Sequence, residues 1–127
     1  MKKRVLVVDD EPTIVKTVCM VLEAYGFDPD GATSGDEAIA KAKNSCPDLL
    51  LSDVMMPGIN GFDAALQIKR VCPGCRLLFF TGYASQVASL AADLTSNGFR
   101  FELLAKPIQP AVLVDSVNAA LAQAGNL

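Results

Sequence analysis

The sequence predicts an α/β fold, a (βα)5 alternation whose five parallel strands lie in the order 2-1-3-4-5 with helices on both faces, three layers in all. Three observations carry this expectation. Short apolar runs recur along the chain at Val5-Leu6-Val7-Val8, Leu49-Leu50-Leu51 and Leu77-Leu78-Phe79-Phe80, and such runs suit strands buried on both faces. Helical segments fill the gaps, an alternation that implies a parallel sheet. One strand candidate is weak and contains Pro29, so it belongs at a sheet edge, which sets the order.

The elements follow in turn. After the first strand, Pro12 suits the first position of a helix, and Ile14, Val18, Leu22 and Tyr25 make an apolar stripe ending at Gly26. Phe27–Asp30 is the weak second strand. Ser34-Gly35-Asp36-Glu37 is a capping box opening a second helix that runs to about Lys43. The third strand, Leu49–Leu51, leads to Asp53, and the third helix is expected over Gly61–Val71. The fourth strand is Leu77–Phe80. The fourth helix is expected over Ala84–Ser96, stopped by Asn97-Gly98. Phe99–Ala105 reads as a fifth strand and Pro110–Ala124 as a fifth helix.

The 127 residues suit one domain spanning 1–127. With 51% hydrophobic and 20% charged residues, the composition argues against disorder. No apolar run approaches the ~20 residues that span a bilayer. The run after Lys2-Lys3-Arg4 stops at Asp9-Asp10-Glu11, short of the ~7 apolar residues of a signal peptide, so a cytoplasmic location is expected. The net charge of −3 argues against sequence-independent nucleic-acid binding. The absence of histidine removes His-based triads, histidine metal sites and a phosphohistidine on this chain.

Cysteines stand at 19, 46, 72 and 75. Cys72-Pro73-Gly74-Cys75 has the spacing of a redox motif, but it follows a helix, whereas the redox form sits at a helix N-terminus. A zinc site would need Cys19 and Cys46 to converge on it. A disulfide framework is not expected, because the chain is not a small secreted scaffold. The expectation is a Pro-Gly turn flanked by small, partly buried thiols.

The polar residues at the strand ends carry the functional argument. In an open α/β sheet, ligands bind beyond the carboxyl ends of the strands. The first strand ends in Asp9-Asp10, the third in Asp53, the fourth in Thr81-Gly82 and the fifth in Lys106-Pro107. The order 2-1-3-4-5 sets strands 1 and 3 side by side and gathers Asp9, Asp10 and Asp53. Three carboxylates in one pocket call for protonation or a cation, and an all-oxygen site suits Mg²⁺, with Mn²⁺ able to substitute. Lys106 offers a compact positive charge, Thr81 a hydroxyl donor and Gly82 room. These parts fit phosphoryl transfer to Asp53 as nucleophile. Each residue also has a plainer explanation, such as Asp10 or Glu11 capping the first helix.

The motifs Val5-Leu6-Val7-Val8-Asp9-Asp10-Glu11, Asp53-Val54-Met55-Met56-Pro57-Gly58-Ile59-Asn60-Gly61, Thr81-Gly82 and Lys106-Pro107 span nearly the whole chain. Together they resemble a two-component response regulator receiver domain of the CheY-like type. The resemblance implies a flavodoxin-like fold and phosphorylation of Asp53 by a sensor histidine kinase or a histidine phosphotransfer protein. It implies Mg²⁺ held by Asp10, Asp53 and the Met55 backbone carbonyl, with Asp9 acting through water. Thr81 and Lys106 would contact the phosphoryl group, and Met55 and Tyr83 would tune its loss. Receivers often carry an aromatic switch residue three positions before the lysine. Here Leu103 stands there, with Phe101 on the same strand face but about 6–7 Å further from the site.

The output expected of such a chain is binding to a downstream protein, or to a second copy, through the fourth helix, fifth strand and fifth helix. Both helices, Ala84–Leu94 and Ala111–Leu121, hold few charges. The start at Met1 and the weak tail Ala122–Leu127 favour a stand-alone protein without turnover of external substrates. A constitutive interaction module is the alternative, though such modules lose an acid or the lysine, and neither is missing. A phosphatase with an aspartyl nucleophile needs a second Asp where Met55 stands.

Overall fold

The computed structural model describes residues 1–83 and 87–123. Strands β1 (Arg4–Val8), β2 (Asp28–Ala32), β3 (Leu49–Asp53), β4 (Arg76–Thr81) and β5 (Glu102–Ala105) form one parallel sheet in the order β2-β1-β3-β4-β5. This is the expected flavodoxin-like arrangement. Successive strand residues point to opposite faces, so each apolar run feeds two cores. Leu6, Val8, Leu50, Leu77 and Phe79 face helices α2 (Gly35–Asn44), α3 (Gly61–Val71) and α4 (Ala92–Ser96). Val5, Val7, Leu49, Leu51, Leu78 and Phe80 face α1 (Pro12–Ala24) and α5 (Pro110–Leu121).

Local signals explain the element ends. Pro12 opens α1, and the positive φ of Gly26 (89°) closes it. The Phe27 N–H reaches the Leu22 carbonyl at 3.0 Å and the Gly26 N–H reaches that of Glu23 at 3.1 Å, the double bond of a Schellman cap. Ser34 caps α2 by accepting from the Glu37 N–H at 3.1 Å, while the Glu37 carboxylate accepts from the Thr33 N–H at 2.7 Å. Asn60 caps α3 by accepting from the Asp63 N–H at 2.9 Å. Pro29 lies on the edge strand, which pairs with β1.

Several expectations need correction. Strand β2 is shifted to Asp28–Ala32, because Phe27 is spent on capping α1. Tyr25 is exposed rather than part of the buried stripe of α1, since it occupies the C-cap. The fourth helix is not continuous over its described part. Ala88–Ala91 is a 3₁₀ turn and α4 covers only Ala92–Ser96; neither has a capping side chain. Residues 84–86 of that expected helix lie outside the described residues, as do 124–127. Strand β5 begins at Glu102 rather than Phe99, because the Phe99 N–H closes α4 by bonding the Leu94 carbonyl at 3.1 Å.

The cysteines also differ from expectation. Cys46, just after α2, forms a disulfide with Cys72, the C-cap of α3, with Cα atoms 5.6 Å apart. Helices α2 and α3 pack side by side in one core, so their carboxyl ends arrive together. Cys72 and Cys75 are buried rather than partly buried. The Cys75 N–H donates to the Cys72 carbonyl at 3.0 Å, which closes the Pro-Gly turn. Cys19 packs in the other core, across the sheet, so the four cysteines do not converge.

Candidate functional site

Strand register places the polar residues together. Val8 pairs with Ser52, and Asp53 with Phe80, so Asp9, Asp53 and Thr81 emerge at one edge. One carboxylate oxygen from each of Asp9, Asp10 and Asp53 lies within 4.8 Å of the others. Asp9 and Asp53 are buried and Asp10 is exposed. Lys106 Nζ donates to Asp9 Oδ2 at 2.9 Å and to Asp53 Oδ2 at 3.3 Å. The Lys106 backbone N–H donates to the Thr81 carbonyl at 2.9 Å, which ties the ends of β4 and β5 together. The ammonium also lies 5.1 Å from the centroid of the Phe80 ring, a cation–π distance.

The pocket is short of positive charge. Lys106 bridges Asp9 and Asp53, Asp10 completes the carboxylate cluster, and among the described residues lining the cleft Lys106 is the one cation. Burial pushes the Asp53 carboxyl above its ordinary value; Lys106 opposes this and Asp9 reinforces it. For Lys106, burial acts to lower the ammonium, but the Asp9 hydrogen bond and the charges of Asp53 and Asp9 outweigh it and leave the group raised. The donor set is hard oxygen only, which matches Mg²⁺, and an added cation would offset the carboxylate repulsion.

The remaining predicted residues surround a cleft of about 400 Å³ lined by Asp10, Glu11, Asp53, Met55, Thr81, Gly82, Tyr83 and Lys106. Thr81 is buried, and its Oγ1 accepts from the Tyr83 N–H at 3.1 Å, which leaves the hydroxyl hydrogen available. A Cβ on Gly82 would meet nothing within 4 Å. Met55 and Tyr83 are half exposed on the rim. Leu103 and Phe101 pack against the same core, as their spacing implied. The Phe101 ring is committed to Phe62 and Phe79, with centroids 5.6 Å from each, and not to the cleft.

Some parts were not anticipated. Glu11 sits at the N-cap of α1 without a side-chain cap bond and is one of the residues lining the cleft. Its N–H donates to Asp9 Oδ1 at 2.9 Å. The sequence placed Glu11 in a motif but offered no sign that Asp9 would take over the capping of its N–H. Phe80 gave no signal, because its ring reads as core. Gly61 has a steric duty: a Cβ there would collide with the Asp53 carbonyl oxygen, and its N–H donates to the Val54 carbonyl at 2.8 Å. An adjoining, largely apolar cavity of about 430 Å³ lies between α1 and the loop after β5, with Lys106 on both walls.

The profile of the response regulator receiver domain matches residues 5–118. The DNA-binding response regulator MtrA of Mycolicibacterium smegmatis is 33% identical over 121 residues, covering 95% of this chain and 51% of the relative. The chain thus spans about half the length of that protein. The chemotaxis protein CheY of Thermotoga maritima is 30% identical over 119 residues, covering 93% of this chain and 97% of the relative. Among solved structures, a CheY-like receiver domain protein from Methanospirillum hungatei superposes with a TM-score of 0.85 at 28% identity, covering 95% of this chain and 94% of the other.

Proposed function

This chain belongs to the response regulator receiver family, a signalling module of two-component systems, and from that premise we propose that Asp53 is its phosphoacceptor. The observation that carries the reading is the cluster of Asp9, Asp10 and Asp53, two of them paired with Lys106, beside an open cleft. The phosphodonor is a histidine kinase or a histidine phosphotransfer protein. The donor's P–N bond breaks as a bond from phosphorus to an Asp53 carboxylate oxygen forms. Asp53 must be ionised to attack, and the Lys106 ammonium favours that form against the pull of burial.

Asp10, Asp53 and the Met55 carbonyl would hold Mg²⁺, with Asp9 acting through water. The ion supplies positive charge that offsets repulsion between Asp53 and the incoming phosphoryl oxygens. The Thr81 hydroxyl donates to one phosphoryl oxygen and the Lys106 ammonium contacts another. Gly82 leaves the space they occupy. Met55 and Tyr83 control how water reaches the aspartyl phosphate. Leu103 repacks as Thr81 moves, in place of an aromatic switch.

The output is protein binding through the face of the expected fourth helix, β5 and α5, to a downstream protein or a second copy. Leu90 of the 3₁₀ turn before α4 and Val112 of α5 are exposed there. The chain acts as one unit over residues 1–127, in the cytoplasm; among the described residues no helix is long and apolar enough to cross a membrane.

Incubation with Mg²⁺ and acetyl phosphate or phosphoramidate, followed by intact mass, tests the reading. One labile phosphoryl adduct is expected, absent without Mg²⁺ and absent in Asp53→Asn. No adduct under any condition, together with no binding of a beryllium fluoride mimic, would leave a constitutive interaction module.

A further inference from the structure

We propose that Cys46 and Cys72 form a reversible thiol–disulfide clamp between the carboxyl ends of α2 and α3, opened by a dithiol reductant at Cys46. The clamp lies at the sheet edge opposite the carboxylates: Cys46 precedes the start of β3, and Asp53 ends it. The cleft residues make no use of it.

Three features make the bond exchangeable rather than sealed. Cys46 is exposed while Cys72 is 2% exposed, so a reductant meets one sulfur only, and access is a condition for exchange. Each sulfur also lies beside a main-chain carbonyl: Cys72 Sγ is 3.4 Å from the Ala42 oxygen and Cys46 Sγ is 3.6 Å from the Val71 oxygen. A disulfide sulfur has no hydrogen to donate, but a thiol does. Both sulfurs therefore already stand where their reduced forms would find acceptors, and the open state leaves no buried thiol stranded. Finally, Asn60 and Ser34 cap the far ends of α3 and α2, and the two helices share an apolar core, so the helices do not depend on the bond for their pairing.

The neighbouring Cys75 does not compete. It is 1% exposed and burial pushes its thiol up to about 12, which suppresses the thiolate that exchange requires. The working pair is thus Cys46 with Cys72, not the two cysteines of the Cys72-Pro73-Gly74-Cys75 motif.

The chemistry balances as follows. A thiolate of the dithiol attacks Cys46 Sγ, the Cys46–Cys72 bond breaks, and Cys72 leaves as a thiolate that takes a proton. The second thiol of the reductant then attacks the mixed disulfide, releasing Cys46 as a thiol. The protein gains two electrons and two protons and the reductant becomes a disulfide. Closure runs in reverse, with glutathione disulfide as the oxidant reduced to two glutathione thiols.

The experiment uses the full chain. It is equilibrated with glutathione disulfide or with dithiothreitol under native conditions, quenched in acid, alkylated with iodoacetamide in denaturant and weighed. Of the four cysteines, two adducts are expected after oxidation, with a cross-linked Cys46–Cys72 peptide, and four after native reduction. Circular dichroism should stay native-like in both forms, with Tm about 10 °C lower after reduction. Glutathione disulfide should restore the starting state. In Cys46→Ser, Tm should not respond to the redox buffer. Four adducts after oxidation, two after native dithiothreitol, loss of fold on reduction, or an undiminished redox shift of Tm in Cys46→Ser would each overturn the clamp.

Discussion

At the carboxyl edge of the sheet Lys106 pairs with Asp9 and Asp53, beside which Asp10 adds a third carboxylate; at the amino edge Lys69 faces main-chain carbonyls. Lys69 Nζ donates to the Pro73 carbonyl at 2.7 Å and to that of Cys75 at 2.8 Å, and it lies 5.2 Å from the Phe99 ring centroid. Burial, reinforced by Arg76, pushes its ammonium below the ordinary value. Lys69 is buried and Lys106 only partly so, and their surroundings differ. The amino edge is closed around its cation, with neutral acceptors that match its donors and a turn that wraps it. The carboxyl edge gathers more negative charge than its lysine can offset and keeps a cleft open beside it. An edge completed from within supports the fold; an edge left incomplete is one that a ligand can complete.

The largest test concerns the closed edge. Cys75 keeps its proton to about 12 in the folded chain, against 9.0 for the ordinary thiol. Between those values the folded state binds more protons than the unfolded one, so stability falls as pH rises. Below the ordinary thiol value this contribution is flat, and across the window it reaches on the order of 4 kcal/mol. Urea unfolding across this alkaline range should show the decline, and Cys75→Ala should lessen it, leaving the part contributed by the raised Lys106 ammonium. A decline of equal slope in the variant would place its origin elsewhere.

Removing charge should then act with opposite sign at the two edges. Lys69→Met strips the Pro73 and Cys75 carbonyls of their donor and should cost about 3 kcal/mol of stability, read from denaturant midpoints. Asp53→Asn removes a charge that burial, and then Asp9, disfavour, and should raise stability slightly without Mg²⁺, even as it removes the proposed phosphoryl acceptor. Losses of similar size in both variants would erase the distinction between a completed and an incomplete edge.

Much of this arrangement was legible in the residues, and the boundary between legible and hidden is physical. Helix α3 covers Gly61–Val71 as expected, because its cap and apolar spacing are local. Asp9, Asp10, Asp53, Thr81 and Lys106 could be brought together from strand order alone, since a parallel sheet sends every carboxyl end to one edge. The Cys46–Cys72 pairing stayed hidden because it spans 26 residues and depends on how two helices lie against each other. The break in the fourth helix stayed hidden because Ala and Leu near Ala88–Leu94 favour an α-helix by propensity, and nothing local in the sequence marks the 3₁₀ turn at Ala88–Ala91. The role of Phe101 emerged only when its ring was seen against Phe62 and Phe79.

Gly61 has one more implication. Helix α3 begins with its first residue pressed against the carbonyl of Asp53 and its N–H bonded to Val54. There is no side chain between them to act as a cushion. Any side chain at position 61 would therefore have to push the Asp53 peptide and the first turn of α3 apart. The other end of the same helix is the turn where Cys72 meets Cys46.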